Sequence, residues 1–267
     1  MSKKYELVVD DTITFWGWKL FRIKALISFG SVDAGDFGGY IHTEDNLSQE
    51  GDAWVWGDAK VWGNAEVSGD AKVWGNAEVW GNAEVWGNAE VWGDAKVWGN
   101  AKVWGNAKVW GNAKVWGDAK VSGNAKVSGN AKVWGNAEVS GDAEVWGNAE
   151  VWGDAEVWGN AEVWGDAKVW GDAKVSGNAK VWGNAEVSGN AEVSDLGDVI
   201  VFKNHWSSGR HFTYTKSNKM WKVGCFYGTG QELIDKAYQD NDKSGNYYKA
   251  YVEFVEKLEA LDELKRP

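Results

Sequence analysis

The side chains able to do chemistry are few, and most of them fall in one stretch. HWSSGRHFTYTKSNKMWKVGCFYGTG, residues 205–230, holds two of the three histidines, His205 and His211, and the single cysteine, Cys225. Arg210, Tyr214, Lys216 and Trp221 lie among them. Three chemistries suit these residue types. A zinc ion would take His205, His211 and Cys225, but their spacing fits no recognised zinc motif and a fourth ligand is lacking. A Cys225 thiolate nucleophile would need a histidine base beside it, and no local signature announces one. The N–H groups of Gly228-Thr229-Gly230, opening a helix, would hold an anion. Thr229 with Glu232 three residues later reads more simply as a capping box. Arg210, Tyr214, Lys216, Trp221 and Cys225 are therefore the candidates of this segment, with no metal, no cofactor and no catalytic residue assigned.

The element that must carry this segment is a repeat. From Asp52 to Ser194 the chain runs Ala-(Lys/Glu)-Val-(Trp/Ser)-Gly-(Asn/Asp), with Val at 55, 61, 67 and every sixth position to 193, twenty-four hexads without insertion. Ala-x-Val-x alternates with period two, the mark of a short strand with one buried face. Lys and Glu are almost never fully buried unpaired. Ala and Val therefore form the core, and Trp stands outside with the charges. Gly-Asn or Gly-Asp then turns a corner, since Gly accepts either sign of φ and Asn and Asp tolerate left-handed geometry. Equal short strands and equal corners wind into a solenoid whose rungs hydrogen-bond to one another.

This hexad, an aliphatic residue with a small residue two positions before it, resembles the hexapeptide-repeat left-handed β-helix proteins. The resemblance implies three hexads per triangular coil. The expected fold is an all-β solenoid, a left-handed parallel β-helix of about eight coils, roughly 38 Å long at strand spacing. Residues 1–51 should form an N-terminal β cap with an irregular first coil, 52–194 the β-helix, and 195–267 a small α+β module. In the caps, YELVV, TITFW and KLFRIKAL read as short strands, as do DVIVF, RHFTYT and MWKVGCFY. A helix should start at Thr229 and a last one should run from about Ser244 to Lys265, about 30 Å long, with Tyr247, Tyr251, Phe254, Leu258 and Leu261 as an apolar stripe.

Coils of three hexads sort the Trp/Ser position into three columns. The first holds Trp62, Trp80, Trp98, Trp116, Trp134, Trp152 and Trp170, ending in Ser188. The second holds Trp56, Trp74, Trp92 and Trp110, then Ser128, then Trp146, Trp164 and Trp182. The third is mostly Ser, with Trp86, Trp104 and Trp158. Rings one strand spacing apart should stack and shield the corners. A strip of indoles this long is also unusual on a monomer, and marks an interaction surface. The charged position is banded, Lys96 to Lys132 basic and Glu138 to Glu162 acidic, so Lys120, Lys126 and Lys132 should meet Glu138, Glu144 and Glu150 one coil on.

In the hexapeptide-repeat family the acyltransferases use a His base and the zinc carbonic anhydrases use three His on neighbouring coils. The hexads here contain neither His nor Cys, so the resemblance implies a fold without those activities. Arg22–Leu26, Ala34–Gly39, Asn46–Ser48 and Lys216–Gly230, together with the repeats, also resemble Trp-rich hexapeptide-repeat proteins of bacteriophages and prophages, which implies an accessory role with no activity attached. The formal net charge of −11 disfavours nucleic acid and anionic membranes as partners. No apolar run is long enough to cross a membrane. With one Cys and Asp10-Asp11 where a signal peptide would be apolar, a cytoplasmic setting is expected. The expected role is non-catalytic binding or scaffolding through the Trp columns, with a second copy or another protein as partner. Carbohydrate stacked on the indoles is the alternative, and an enzyme working through residues 195–267 is the outside class.

Overall fold

The computed structural model describes residues 3–263. Its body is a β-solenoid of about nine stacked turns built from three parallel sheets. Each rung adds one strand to each sheet, residue i pairing with i+18, as in Val91 with Val109 and Val97 with Val115. One sheet carries four-residue strands such as Lys96–Gly99, which include the Trp of the first column; the other two carry two-residue strands such as Lys102–Val103 and Lys108–Val109. Corner backbone joins rung to rung as well, Asn76 N–H donating to Gly93 C=O at 2.8 Å. The Ala and Val of the hexads are all but completely buried and form one continuous core. The alternation of small and branched aliphatic residues thus fills the interior.

The turn beyond the eight regular ones comes from the irregular segment. Strand β3 (Phe37–Ile41) pairs in parallel with Lys60–Gly63, and Leu47 bridges to Val67. Above it β1 (Tyr5–Phe15) and β2 (Trp18–Ala25) close the sheet as an antiparallel hairpin. Sequence reading split β1 into YELVV and TITFW. The structure makes them one strand, with a register shift between Val8 and Thr12 that absorbs Asp10 and Asp11. Trp16 and Gly17, both with positive φ (50° and 83°), form the two-residue turn, whose handedness suits the strand twist. The outer strand is blunted by its irregularity and by its acidic residues, which discourages edge pairing. Trp54 occupies a hexad's charged position yet is fully buried, because Tyr5 and Phe29 pack edge-on against it.

Residues 199–228 form a four-stranded antiparallel sheet. MWKVGCFY is not one strand: Gly224, at φ 57°, turns Met220–Val223 back on Phe226–Gly228. Helix α1 (Gly230–Asp240) begins with the expected capping box, Thr229 Oγ1 accepting from Glu232 N–H while the Glu232 carboxylate accepts from Thr229 N–H. Helix α2 (Asp242–Glu263) starts two residues before the expected Ser244; its expected end, Lys265, lies outside the described residues. The expected stripe is not the buried face. Tyr248, Val252 and Val255 enter the core of this module with Phe212 and Trp221, whereas Phe254 and Leu261 are 49% and 54% exposed. The helix packs on its own sheet and on α1, because Phe202 and Phe212 of the sheet and Trp206 of the turn between their strands offer it a near apolar surface.

Candidate interaction surface

Two positions along a strand share a face, so each hexad places Trp beside Lys or Glu on the outside. The rung spacing then aligns the indoles. In the first column Trp62, Trp80, Trp98, Trp116, Trp134, Trp152 and Trp170 form one unbroken ladder, every neighbouring pair 4.9 Å between ring centroids and within 4° of parallel. In the second, Trp74, Trp92 and Trp110 stack at 4.8 and 4.9 Å. The ladder resumes with Trp146, Trp164 and Trp182 at 5.0 and 5.5 Å. Trp56, expected at its head, packs against the Ala/Val core instead. The third column has one stacked pair, Trp86 on Trp104 at 5.1 Å.

Stacking has a consequence that composition does not reveal. Each ring face inside a ladder is covered by the next ring, so the indoles present their edges to solvent. Most ladder rings are half-buried; Trp182, on the last rung, is 45% exposed. The first ladder is also closed at both ends. Phe15 of β1 meets the buried Trp62 edge-on at 5.3 Å, and the Lys222 ammonium sits 5.4 Å from the Trp170 ring. Open faces remain at the Ser breaks. At Ser128 an open groove of about 520 Å³ runs along Trp92, Trp110 and Trp146, and is lined also by Lys108, Lys126 and Glu144.

The charge bands interlock as expected. Lys120, Lys126 and Lys132 meet Glu138, Glu144 and Glu150, and the upper border pairs Lys96, Lys102 and Lys108 with Glu78, Glu84 and Glu90 in the same way. The Glu144 carboxylate, hydrogen-bonded at 2.7 Å, raises the pKa of the Lys126 ammonium. Such exposed pairs are worth roughly 0.2–1 kcal/mol each. A second ladder escaped the sequence reading: corner Asn amides donate one rung on, Asn64 to Asn82, Asn82 to Asn100 and Asn100 to the Asp118 carboxylate. The chain of donors stops at Asp118 because a carboxylate has none to pass on. The signal was present in the strict spacing of Asn and Asp, read there only as turn chemistry.

The candidates of the C-terminal module do not converge. Trp221 is buried in the module core, Tyr214 donates to the Glu259 carboxylate, and Lys216 pairs with Asp262 at 2.7 Å. Arg210 and Cys225 are exposed, Cys225 in the turn after Gly224. His205 faces Tyr251 and Tyr247, His211 pairs across the sheet with Lys203, and no group of three potential metal ligands occurs among the described residues. At the start of α1 the Glu232 carboxylate already takes Thr229 N–H.

What this segment does instead is terminate the solenoid. The last rung's Glu186 and Glu192 N–H groups donate to Thr213 Oγ1 and Ser217 Oγ, at 2.9 and 2.8 Å. Asn218 donates to Asn190 Oδ1, and Tyr227 to Ser188 C=O. Side-chain oxygens thus stand in for the carbonyls of a further rung. No helix among the described residues is long and apolar enough to cross a membrane. No protein-family model matches the chain, and no curated protein matches it significantly.

Proposed function

We propose that this protein is a non-catalytic scaffold whose Trp-lined edges are an association surface for a second copy of itself or for another protein. The observation that carries the reading is the length and regular stacking of the first indole ladder, seven rings parallel along one edge. A partner meets it without ordering flexible side chains, and so without most of that entropic cost. The capped ends direct association to the sides of the prism. The second expectation, sugars stacked along the ladders, fits less well, because sugar stacking needs open ring faces and the ladders close them. A place among bacteriophage or prophage accessory proteins rests on the resemblance of the flanking segments and the repeats alone.

The test is solution mass by light scattering over a wide concentration range, on the wild type and on Trp98→Ser/Trp134→Ser. Association that weakens in the double variant supports the reading. A monomer at every concentration ends the self-association form. Failure of the double variant to lose a partner captured by the wild type ends the ladder's role altogether.

A further inference from the structure

We infer that the break at Ser128 is a binding site for one flat aromatic molecule, held between the facing rings of Trp110 and Trp146. The site does not depend on the association surface proposed above. In the second column Ser128 has Trp one rung before it and Trp one rung after it. No other Ser in the three columns is flanked in this way: Ser68, Ser122, Ser140, Ser176, Ser188 and Ser194 each lack a Trp on at least one side. Trp110 belongs to the stack above and Trp146 to the stack below, so each ring is braced from behind by its own neighbour, Trp92 or Trp164. Their remaining faces border the notch, which opens into a groove of about 520 Å³.

The dimensions select the ligand. Two rungs separate the walls, about 9.6 Å along the axis. Stacked rings touch at roughly 3.5 Å and slide to the larger centroid spacing seen in the ladders. Two such contacts leave room for one planar ring system and too little for the thicker chair of a saturated sugar. The indole side chain at every neighbouring rung shows how such a ring would lie. The mouth carries Lys108, Lys126 and Glu144, and both lysines are already paired, Lys108 with Glu90 and Lys126 with Glu144, so the site selects for flatness and not for charge. The Ser128 hydroxyl, both donor and acceptor, lies on the floor for a polar ring atom. Both walls and the floor sit on a core that is completely buried at Val109, Val127 and Val145, so the site is preformed and binding requires no rearrangement.

Indole-3-acetate is the probe, because its ring reproduces one rung. Calorimetric titration of the full chain should give one site per chain. Cyclohexylacetate, of equal charge but not flat, should bind at least about tenfold more weakly, and tryptamine, flat but cationic, should bind comparably. Ser128→Trp fills the notch and should abolish binding, while Ser122→Trp, which fills no sandwich, should leave it intact. Trp110→Ser, which removes one wall, should weaken binding at least about tenfold and serves if Ser128→Trp does not fold. Absence of binding at millimolar probe, equal binding of cyclohexylacetate, or retained binding in a folded Ser128→Trp would each overturn the proposal. Because the readout is a small-molecule isotherm, its outcome is separate from the solution mass that tests association.

Discussion

Replacing Trp116 by Ser, a residue the chain itself tolerates at the same hexad position, isolates what stacking contributes. Trp116 lies on Trp98 at 4.9 Å and 0°, and on Trp134 at 4.9 Å and 4°. An offset aromatic pair adds about 0.5–1.5 kcal/mol beyond its area burial, so the variant loses about 1–3 kcal/mol from two pairs. Trp104 is the matched control, half-buried like Trp116 but stacked on one ring only, Trp86. Trp104→Ser should therefore cost about half as much. In a chain of this size 1 kcal/mol moves the midpoint by roughly 2–4 °C, which makes the two variants separable. Thermal and guanidinium unfolding should be followed by backbone circular dichroism, since the substitutions alter the fluorescence itself. Solenoids need not unfold in one step, so the comparison is made at the same probe and with the denaturant slopes checked. Equal shifts for the two variants, or no shift for Trp116→Ser, would refute the reasoning and reduce the ladders to a surface ornament of the repeat.

Other outcomes follow from single sites. Gly117 has φ +74°, and a Cβ there would lie 3.1 Å from Gly135 N; Gly183, at φ +65°, has open space. Gly117→Ala should cost about 2–3 kcal/mol and Gly183→Ala about 1 kcal/mol by the same unfolding assay. Thr213→Val leaves Glu186 N–H without its acceptor and should loosen the last rung by about 1–3 kcal/mol, read as faster amide exchange over residues 186–193 with the central rungs unchanged. The pH dependence has two limbs. The Lys4 ammonium is buried against the carbonyls of Glu50, Gly51 and Ala53, and burial lowers its pKa to about 8, partly offset by Asp52 and Asp70. From pH 8 towards the ordinary lysine value the unfolded chain binds more protons, so this group makes stability rise with pH. Tyr5 and Tyr214 are shifted upward by burial, Tyr214 also by its bond to Glu259. Above about pH 10 they ionise only in the unfolded chain, and stability falls. Lys4→Met should flatten the rising limb and leave the falling one.

The sequence by itself determined the solenoid with its buried Ala/Val face, and, once three hexads make one turn, the three Trp columns and the pairing of the charge bands. A period of six with one aliphatic face turns Ala and Val inward, and equal rungs place like residue over like. The first turn of α1 was legible for the same kind of reason, since the Thr229–Glu232 box is closed within four residues. What only the tertiary structure decided are the matters that depend on distant segments. Trp54 is buried because Tyr5 and Phe29 arrive from the N-terminal cap, while Trp56 leaves its ladder for the core. The buried face of α2 was set by the sheet it meets rather than by the strongest stripe in its own sequence. Thr213, Ser217, Asn218 and Tyr227 end the solenoid through hydrogen bonds that no local pattern encodes. The meaning of Ser128 was likewise invisible as a letter in the repeat. A serine among tryptophans is a substitution in sequence, but in space it leaves two braced ring faces opposite each other, one ring apart.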